Sequence, residues 1–371
     1  MSSTLQLRSA SHTARLTTSE SLALDVIRVA AACVVAFGHI TQPPFSTGWP
    51  DLTYLAQSSV AVFFLLSGFV IRYVTYRRPA TLGHYFGDRA SRIYSIAIPA
   101  LLFTFIADAI SSHVGPGYHI PWPAFCKEAF FSIGVNLVFC GKLWTHTIFP
   151  LSNSPFWSVN YEVAYYLLYG CWFYLSGARR WLSIAAISLF FGPRVLYLAP
   201  LWILGCLLHD FYQQTNRTPT AITRTSRIAL SIFALLTAFF AVFVTLIQRG
   251  YAFGNGPFMR ISGSAGIPPA NYLFGLLWAI AFFALLKLAR PITLQPDTAF
   301  SHSIHFIAEG TFPIYLLHLP YFYLIAAVIP YNHANPLPKL IIFASILLIG
   351  VLAGHPGNLL KIKIRSLIFQ S

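Results

Sequence analysis

Three polar residues in the first apolar segment, Asp25, Arg28 and His39, have residue types and a spacing suited to chemistry. Arg28 and His39 are eleven residues apart, about three helical turns, so both project from one face of an α-helix. Asp25 precedes Arg28 by three residues and can form an ion pair with it. Ionisable groups in apolar helices are costly and therefore candidates for function. The alternative interpretation is that Asp25 and Arg28 anchor the helix at an interface and that His39 lies at a loop edge.

Two later segments carry further polar groups in apolar surroundings. Trp157, Ser158 and Glu162 open one apolar run. Beside the imidazole of the first segment, the Glu162 carboxylate would fix the histidine tautomer and raise its basicity. Tyr315 and His318 are three residues apart in a later run, and His318 is a second candidate catalytic group. The alternatives are an interfacial aromatic belt with a solvated Glu162 and a hydrogen-bonded packing role for His318.

Arginines cluster between the second and third apolar runs. Arg89 and Arg92 are three residues apart and would share a helical face, and Arg72 precedes them. Arginine side chains suit phosphate groups because their planar donors match phosphate oxygens. These three residues are therefore candidates for binding a phosphorylated ligand. The alternative is cytoplasmic charge that orients the chain or attracts anionic lipid. The spacing of the five cysteines does not predict a metal site.

The composition restricts the elements that can position these residues. Of the 371 residues, 56% are hydrophobic and only 9% are charged, whereas about 25% is usual for soluble proteins. Such a chain cannot cover a soluble surface with charge, so a soluble enzyme and a disordered chain are both excluded. The net charge of +14 does not indicate nucleic-acid binding, because basic residues on an apolar chain are typical of cytoplasmic loops.

Apolar runs bounded by glycine, proline and charged residues predict about ten transmembrane helices in one bundle. The predicted spans are 22–40, 53–75, 93–111, 157–176, 181–192, 195–210, 228–248, 271–288, 310–329 and 338–354. With both termini in the cytoplasm, 17 of the 24 lysines and arginines fall in inner segments, which sets the orientation. The segment 124–140 carries charges, so an interfacial or re-entrant course stays open for it.

The sequence therefore predicts an all-α integral membrane protein with one large domain. Residues 1–21 form a polar cytoplasmic lead without the features of a signal peptide. Residues 22–354 form the transmembrane domain, and residues 355–371 form a basic cytoplasmic tail.

Together these motifs resemble acyltransferase family 3, the integral-membrane O-acyltransferases of bacterial surface sugars. The residues Asp25, Arg28 and His39 are similar to the family's Asp-x-x-Arg-x10-His signature. Four further segments resemble family motifs in the family's order, namely Phe63–Phe69, Arg89–Tyr94, Trp157–Glu162 and Tyr315–Pro320. The resemblance covers most of the chain, and its Asn-Tyr-Glu form at 160–162 is similar to the branch linked to exopolysaccharide acylation.

The resemblance implies a membrane-bound O-acyltransferase, and with it a co-substrate, partners and a location. The donor would be cytoplasmic acyl-CoA, most often acetyl-CoA, with no permanently bound cofactor. The acceptor would be a hydroxyl of a surface or exported polysaccharide or of its lipid-linked precursor. The bacterial inner membrane is the implied location, with the polysaccharide-synthesis machinery as a partner and no nucleic acid.

The same resemblance, combined with the map of charges, assigns roles to individual residues. Arg89 and Arg92 would hold the donor phosphates at the cytoplasmic face. Arg28 would either hold the donor further in or keep its helix face hydrated and charged. His39 would act as general base or as a transient acyl carrier, and Glu162 would orient it.

Two other classes of function stay open. One is a transporter or flippase for a lipid-linked saccharide, with Arg28, His39 and Glu162 as a proton or substrate path. The other is a scaffold subunit of a polysaccharide synthase. No inverted repeat is visible in the sequence, and the arginine pair has no clear task in a transporter. Transfer or hydrolysis of acetyl-CoA by the purified protein distinguishes an enzyme from both.

Overall fold

The structure, a computed structural model, describes residues 15–77, 80–114, 121–216, 223–251 and 270–370. Residues 1–14 of the predicted lead and residue 371 of the predicted tail lie outside the described residues. The described elements, in chain order, are α1 (Thr18–Ile40), α2 (Thr53–Arg77), α3 (Leu82–Val114), α4 (Trp122–Leu137), β1 (Lys142–Leu143), β2 (His146–Thr147), α5 (Trp157–Tyr174), α6 (Gly177–Phe191), α7 (Pro193–Thr215), α8 (Arg224–Tyr251), α9 (Ala270–Ala289), α10 (Ala299–Glu309), α11 (Thr311–Val328) and α12 (Pro336–Gln370). The strands β1 and β2 pair in an antiparallel hairpin.

The prediction of an all-α membrane protein is confirmed at the level of fold class. Each of the ten predicted apolar segments falls largely within a helix. Among the described residues, the helices long and apolar enough to cross a membrane are Thr18–Ile40, Ser58–Arg77, Leu82–Val114, Pro193–Thr215, Thr311–Val328 and Pro336–Phe369. The total of about ten spans, their single bundle and the cytoplasmic termini stay predictions. The segment 124–140 forms most of α4 and the start of the connection to β1.

The helix α12 runs past the predicted end of the last span at residue 354. Gly354 and Pro356 are residues that usually indicate a helix end, but α12 continues to Gln370. A Cβ atom at Gly354 would lie 2.7 Å from the carbonyl carbon of Glu309, so this glycine allows a close approach to α10. The described residues of the predicted tail are therefore helical.

The chain folds into two compact units, each of which is built from several chain segments. The first unit comprises Met1–Arg28, Ser58–Thr81 and Tyr197–His305. In this unit α8 packs along α9, and the backbones of α2 and α7 are in close contact. A Cβ atom at Gly68 would lie 2.0 Å from the carbonyl oxygen of Trp202. This approach explains the need for glycine in the predicted motif, since small residues let apolar helices pack closely.

The second unit comprises Val29–Gln57, Leu82–Leu196 and Phe306–Ser371. Here α3, α11 and α12 pack against one another, and α5 and α6 form a neighbouring pair that holds the hairpin. The buried Asn153 amide donates to the carbonyl oxygen of Leu316 (2.9 Å) and to the hydroxyl of Thr104 (3.0 Å). A buried amide needs such partners, and these bonds hold the entry to α5 against α11.

The close approach of α2 and α7 gives a stability prediction for Gly68→Ala. The added methyl group must push two backbones apart, so we expect the free energy of unfolding to fall by about 1–3 kcal/mol. Denaturant or thermal unfolding in detergent measures it. Gly134→Ala in α4 is the matched control, because a Cβ atom at Gly134 has nothing within 4 Å. Equal stability of the two variants would contradict the backbone contact.

Candidate functional site

The first candidate catalytic residue, His39, lies near the end of α1 and meets the second, His318, from α11. The Nε2 atom of His318 lies 3.0 Å from Nδ1 of His39. His318 is fully buried and His39 is half-buried. The structure therefore brings together two residues that belong to separate sequence motifs, 279 positions apart.

The hydrogen bonds determine which ring nitrogens carry protons when both rings are neutral. Nδ1 of His318 lies 3.1 Å from the carbonyl oxygen of Ile314, which only accepts, so this nitrogen is the donor. Nε2 of His318 is then an acceptor, and Nδ1 of His39 must donate to it. The carbonyl oxygen of Val35, 3.1 Å from the same Nδ1, also favours a proton there. His39 is left with an unprotonated Nε2, which has no hydrogen-bond partner among the described residues.

The side chains of Ser158 and Tyr315 lie next to this histidine pair. Their hydroxyl oxygens are 2.7 Å apart, and the Tyr315 hydroxyl is also 3.1 Å from the carbonyl oxygen of Pro155. The ring of Tyr315 has its centroid 6.2 Å from that of His318. The start of α5 and the middle of α11 thus share one buried polar cluster.

The Glu162 carboxylate accepts a hydrogen bond from the hydroxyl of Tyr166, one turn further along α5. It also interacts electrostatically with Tyr315. The ring of His39 is oriented by the hydrogen bond that its Nδ1 donates to Nε2 of His318. The catalytic role of Glu162 stays a prediction.

A cationic group forms where α3 meets the C-terminal part of α12. Arg89 lies with its guanidinium carbon 5.9 Å from the ring centroid of Tyr166, and its buried Nε has no hydrogen-bond partner among the described residues. Arg89 and Arg92 both interact electrostatically with Lys361. Arg365 also belongs to this group, and its Nε lies 2.8 Å from Asp88. We call Arg89, Arg92, Lys361 and Arg365 the cationic cluster.

In the first unit, Asp25 and Arg28 form the predicted ion pair, with 3.1 Å between Asp25 Oδ1 and Arg28 Nη1. Asp25 has a second partner, since its Oδ2 lies 2.6 Å from Nδ1 of His305 in α10. Asp25 is therefore held between two basic groups, and it restricts the position of the Arg28 guanidinium.

Arg72 also belongs to the first unit, where it is engaged by Asp210 of α7. Its Nε and Nη2 lie 2.9 Å and 2.6 Å from the two carboxylate oxygens. The second basic neighbour of this carboxylate is His209, whose Nδ1 lies 3.0 Å from Asp210. Arg72 thus has an internal ion pair, whereas Arg89 and Arg92 lie in the other unit. The role of Arg72 in binding a phosphorylated co-substrate stays a prediction.

A family model for an acyltransferase domain matches residues 21–355, which include most of the residues of the sites above. The chain belongs to acyltransferase family 3. A curated relative, Acyltransferase MdmB of Streptomyces mycarofaciens, is 28% identical over 176 residues. That match covers 44% of this chain and 43% of the relative, so the chain spans less than half of the length of that protein. No solved structure matches.

The structure of this family 3 member adds residues that sequence reasoning did not assign to the site. His305, Tyr166 and Lys361 each interact with a predicted site residue, and Arg365 interacts with Lys361. His305 follows 280 residues after Asp25, in a helix that the apolar pattern did not detect. Lys361 and Arg365 carried a weak signal, since they are four residues apart and share a helical face.

The tautomer of the two histidines can be measured directly. Histidine labelled with 15N in the full-length protein should give resonances of the Nδ1-protonated form for both His39 and His318. His39→Gln and His318→Gln each remove one set of signals and so assign them. A protonated Nε2 and an unprotonated Nδ1 on His39 would contradict the hydrogen-bond pattern.

Proposed function

We propose that this protein is a membrane-bound O-acyltransferase that moves an acyl group from acyl-CoA to a sugar hydroxyl. The observation that carries the proposal is the histidine pair, which leaves Nε2 of His39 as a base in a chain of acyltransferase family 3. The acyl group is acetyl, and the acceptor is a surface or exported polysaccharide or its lipid-linked precursor. The protein acts in a bacterial inner membrane beside the polysaccharide-synthesis machinery.

The proposed reaction needs one general base, and the thiol of CoA is its leaving group. Nε2 of His39 takes the proton of the acceptor hydroxyl as its oxygen attacks the thioester carbon. An ester bond forms, the carbon–sulfur bond breaks, and the proton passes to the sulfur of CoA. His318 accepts the hydrogen bond from Nδ1 of His39, so it stabilises the positive charge that His39 acquires.

The donor end of the proposed site is the cationic cluster. CoA carries phosphate groups, and arginine and lysine bind phosphate through charge-assisted hydrogen bonds. The Nε of Arg89, without a partner among the described residues, supplies a donor for such a bond. We therefore assign the donor phosphates to Arg89 and Arg92, with Lys361 as an additional ligand.

One face of α5 connects the two ends of this site. Ser158, Glu162 and Tyr166 follow one another at intervals of four residues and so share a helical face. The first bonds Tyr315 beside the histidines, and the last lies beneath Arg89. The separation along the axis is about 12 Å, a length that the flexible arm of CoA can span. Glu162, in the middle, is proposed to orient the donor and the neighbouring hydroxyl groups.

A transporter or flippase for a lipid-linked saccharide is the alternative from sequence. It would use the same polar groups as a path, but it would not consume acetyl-CoA. Purified protein that neither transfers an acetyl group nor hydrolyses acetyl-CoA, but moves a lipid-linked sugar between leaflets, would replace the proposal by this alternative.

Substitution of the histidine pair tests the proposed base. We expect His39→Ala to lower kcat by about 100- to 10,000-fold, the usual contribution of a general base. His318→Leu should lower kcat by roughly 100-fold, because the ring of His39 loses its orientation. His318→Gln should retain more activity, since its amide oxygen can accept the same hydrogen bond. Transfer of labelled acetyl from acetyl-CoA measures all three.

The affinity for acetyl-CoA provides the control for these histidine variants. Because the pair is proposed to act on the hydroxyl, the affinity should stay within a few-fold of the wild-type value. Glu162→Gln is measured beside them and should also lower kcat. Wild-type rates in His39→Ala and Glu162→Gln that still insert into the membrane would reject the assignment.

The cationic cluster is tested through donor binding. Arg89→Gln and Lys361→Gln should each weaken acetyl-CoA binding by about ten-fold, the value of one charged hydrogen bond. Titration calorimetry on protein in lipid nanodiscs measures this affinity. Lys363→Gln is the matched control, since Lys363 lies on the same helix and is exposed. The same loss in the control, or no loss in either cluster variant, would contradict the donor site.

A further inference from the structure

Another polar site lies in the second compact unit, where the β hairpin meets the start of α7. The backbone N–H of Gly141 donates to Oδ1 of Asn160 on α5 (3.1 Å), and that of Trp144 donates to the carbonyl oxygen of Phe191 (2.9 Å). Gly192 joins α6 to α7 with a φ of 82°, and a Cβ atom there would lie 2.8 Å from the Trp144 ring. The hairpin is therefore held firmly against the α6–α7 connection.

This arrangement brings two buried cations together. Lys142 is 1% exposed and Arg194 is 8% exposed. Nζ of Lys142 and Nη1 of Arg194 both donate to the Thr147 hydroxyl oxygen, each at 2.8 Å. Burial and the nearby Arg194 guanidinium lower the pKa of Lys142 to about 7. Two buried like charges destabilise a fold. Packing alone therefore does not explain why both cations are buried here.

The geometry around Arg194 suits a negatively charged group. Its buried Nε has no hydrogen-bond partner among the described residues, and no carboxylate of the described part of the chain forms an ion pair with it. Arg194 is also the second residue of α7, where the N-terminus of a 23-residue helix adds partial positive charge. A guanidinium and an ammonium thus converge on one hydroxyl group, and the guanidinium belongs to the first turn of a helix.

We propose that Lys142, Thr147 and Arg194 form a binding site for a carboxylate or phosphate group. This inference rests on the proposed function in one respect, namely that the anion belongs to the sugar acceptor of acyl transfer. The acceptor would then be an acidic saccharide, such as one that carries a uronate carboxylate or a sugar phosphate. Both cations lie in segments that the charge distribution predicts to be outer, as expected for an exported acceptor.

The helix α5 relates this site to the histidine pair. Tyr161 interacts electrostatically with Arg194, while Ser158 bonds Tyr315 beside His318. Ser158 and Tyr161 are separated by one turn of helix, about 4.5 Å along the axis. An acidic saccharide held by Arg194 would therefore lie one turn of α5 away from the cluster that adjoins the base.

Binding is tested first, without reference to activity. Full-length protein in phosphatidylcholine nanodiscs is heated with glucuronate, glucose 1-phosphate or neutral glucose, each at the same ionic strength. We expect at least one of the two anions to raise the melting temperature, because a ligand that binds only the native state stabilises it. Arg194→Gln should lose at least ten-fold in affinity for that anion, and glucose should have no effect on either protein.

Two variants keep this test decisive. Lys127→Gln, at an exposed lysine of α4, is the matched control and should bind like the wild type. Arg194→Lys retains the charge and should bind with intermediate affinity even where Arg194→Gln is poorly folded. The same stabilisation of all three variants, or none in the wild type, would overturn the anion site. Stabilisation by phosphatidylglycerol nanodiscs alone would assign the site to a lipid headgroup and overturn the saccharide.

Acyl transfer then tests whether the bound anion belongs to the acceptor. Glucuronate-containing and glucose 1-phosphate-containing oligosaccharides are compared with the methyl ester of the first. The wild type should prefer an anionic acceptor at least ten-fold in kcat/KM, and Arg194→Gln should lose this preference while its KM for acetyl-CoA is unchanged. Transfer without preference would overturn the acceptor assignment. No transfer to any sugar, with anion binding intact, would count against the proposed function and not against the anion site.

Discussion

The polar side chains of this protein must find their partners inside the protein, because the surrounding helices are apolar and offer no water. A polar group that is buried without a partner costs several kcal/mol in such surroundings. Most of the groups described here meet this constraint by pairing across large sequence distances. Asp25 binds Arg28 and His305, Arg72 binds Asp210, and the side-chain NH2 group of Asn153 donates to acceptors on two helices.

Three of the polar atoms that have no hydrogen-bond partner among the described residues belong to the proposed sites. Nε2 of His39 is an acceptor without a donor, whereas the Nε atoms of Arg89 and Arg194 are buried donors without an acceptor among the described residues. The first suits a base that removes a hydroxyl proton, and the other two suit phosphate or carboxylate oxygens. The same pattern of hydrogen bonds thus leads to the proposed base, the proposed donor site and the proposed anion site.

Sequence reasoning was most successful where the information is local. Apolar runs predicted the helices because a span needs about 20 apolar residues in a row, and a three-residue spacing predicted the pair of Asp25 and Arg28. The helix α12 continues past the predicted end of the last span at 354, because Gly354 serves a close contact with α10 and does not stop the helix. The helix α10, with 11 residues, is too short and too polar for a span, so the apolar pattern carried no signal for His305.

The motifs that resemble those of the family were visible in the sequence, and the membership of the chain in the family is confirmed by the match over 21–355. The sequence by itself determined the class of protein, the apolar helices and the residue types available for chemistry. It did not determine which of these residues meet. Only the tertiary structure joined His39 to His318, added Lys361 to Arg89 and Arg92, and brought Lys142 to Arg194. The physical reason is that spacing within a helix decides which side chains share a face, whereas contacts between helices depend on packing that no local pattern records.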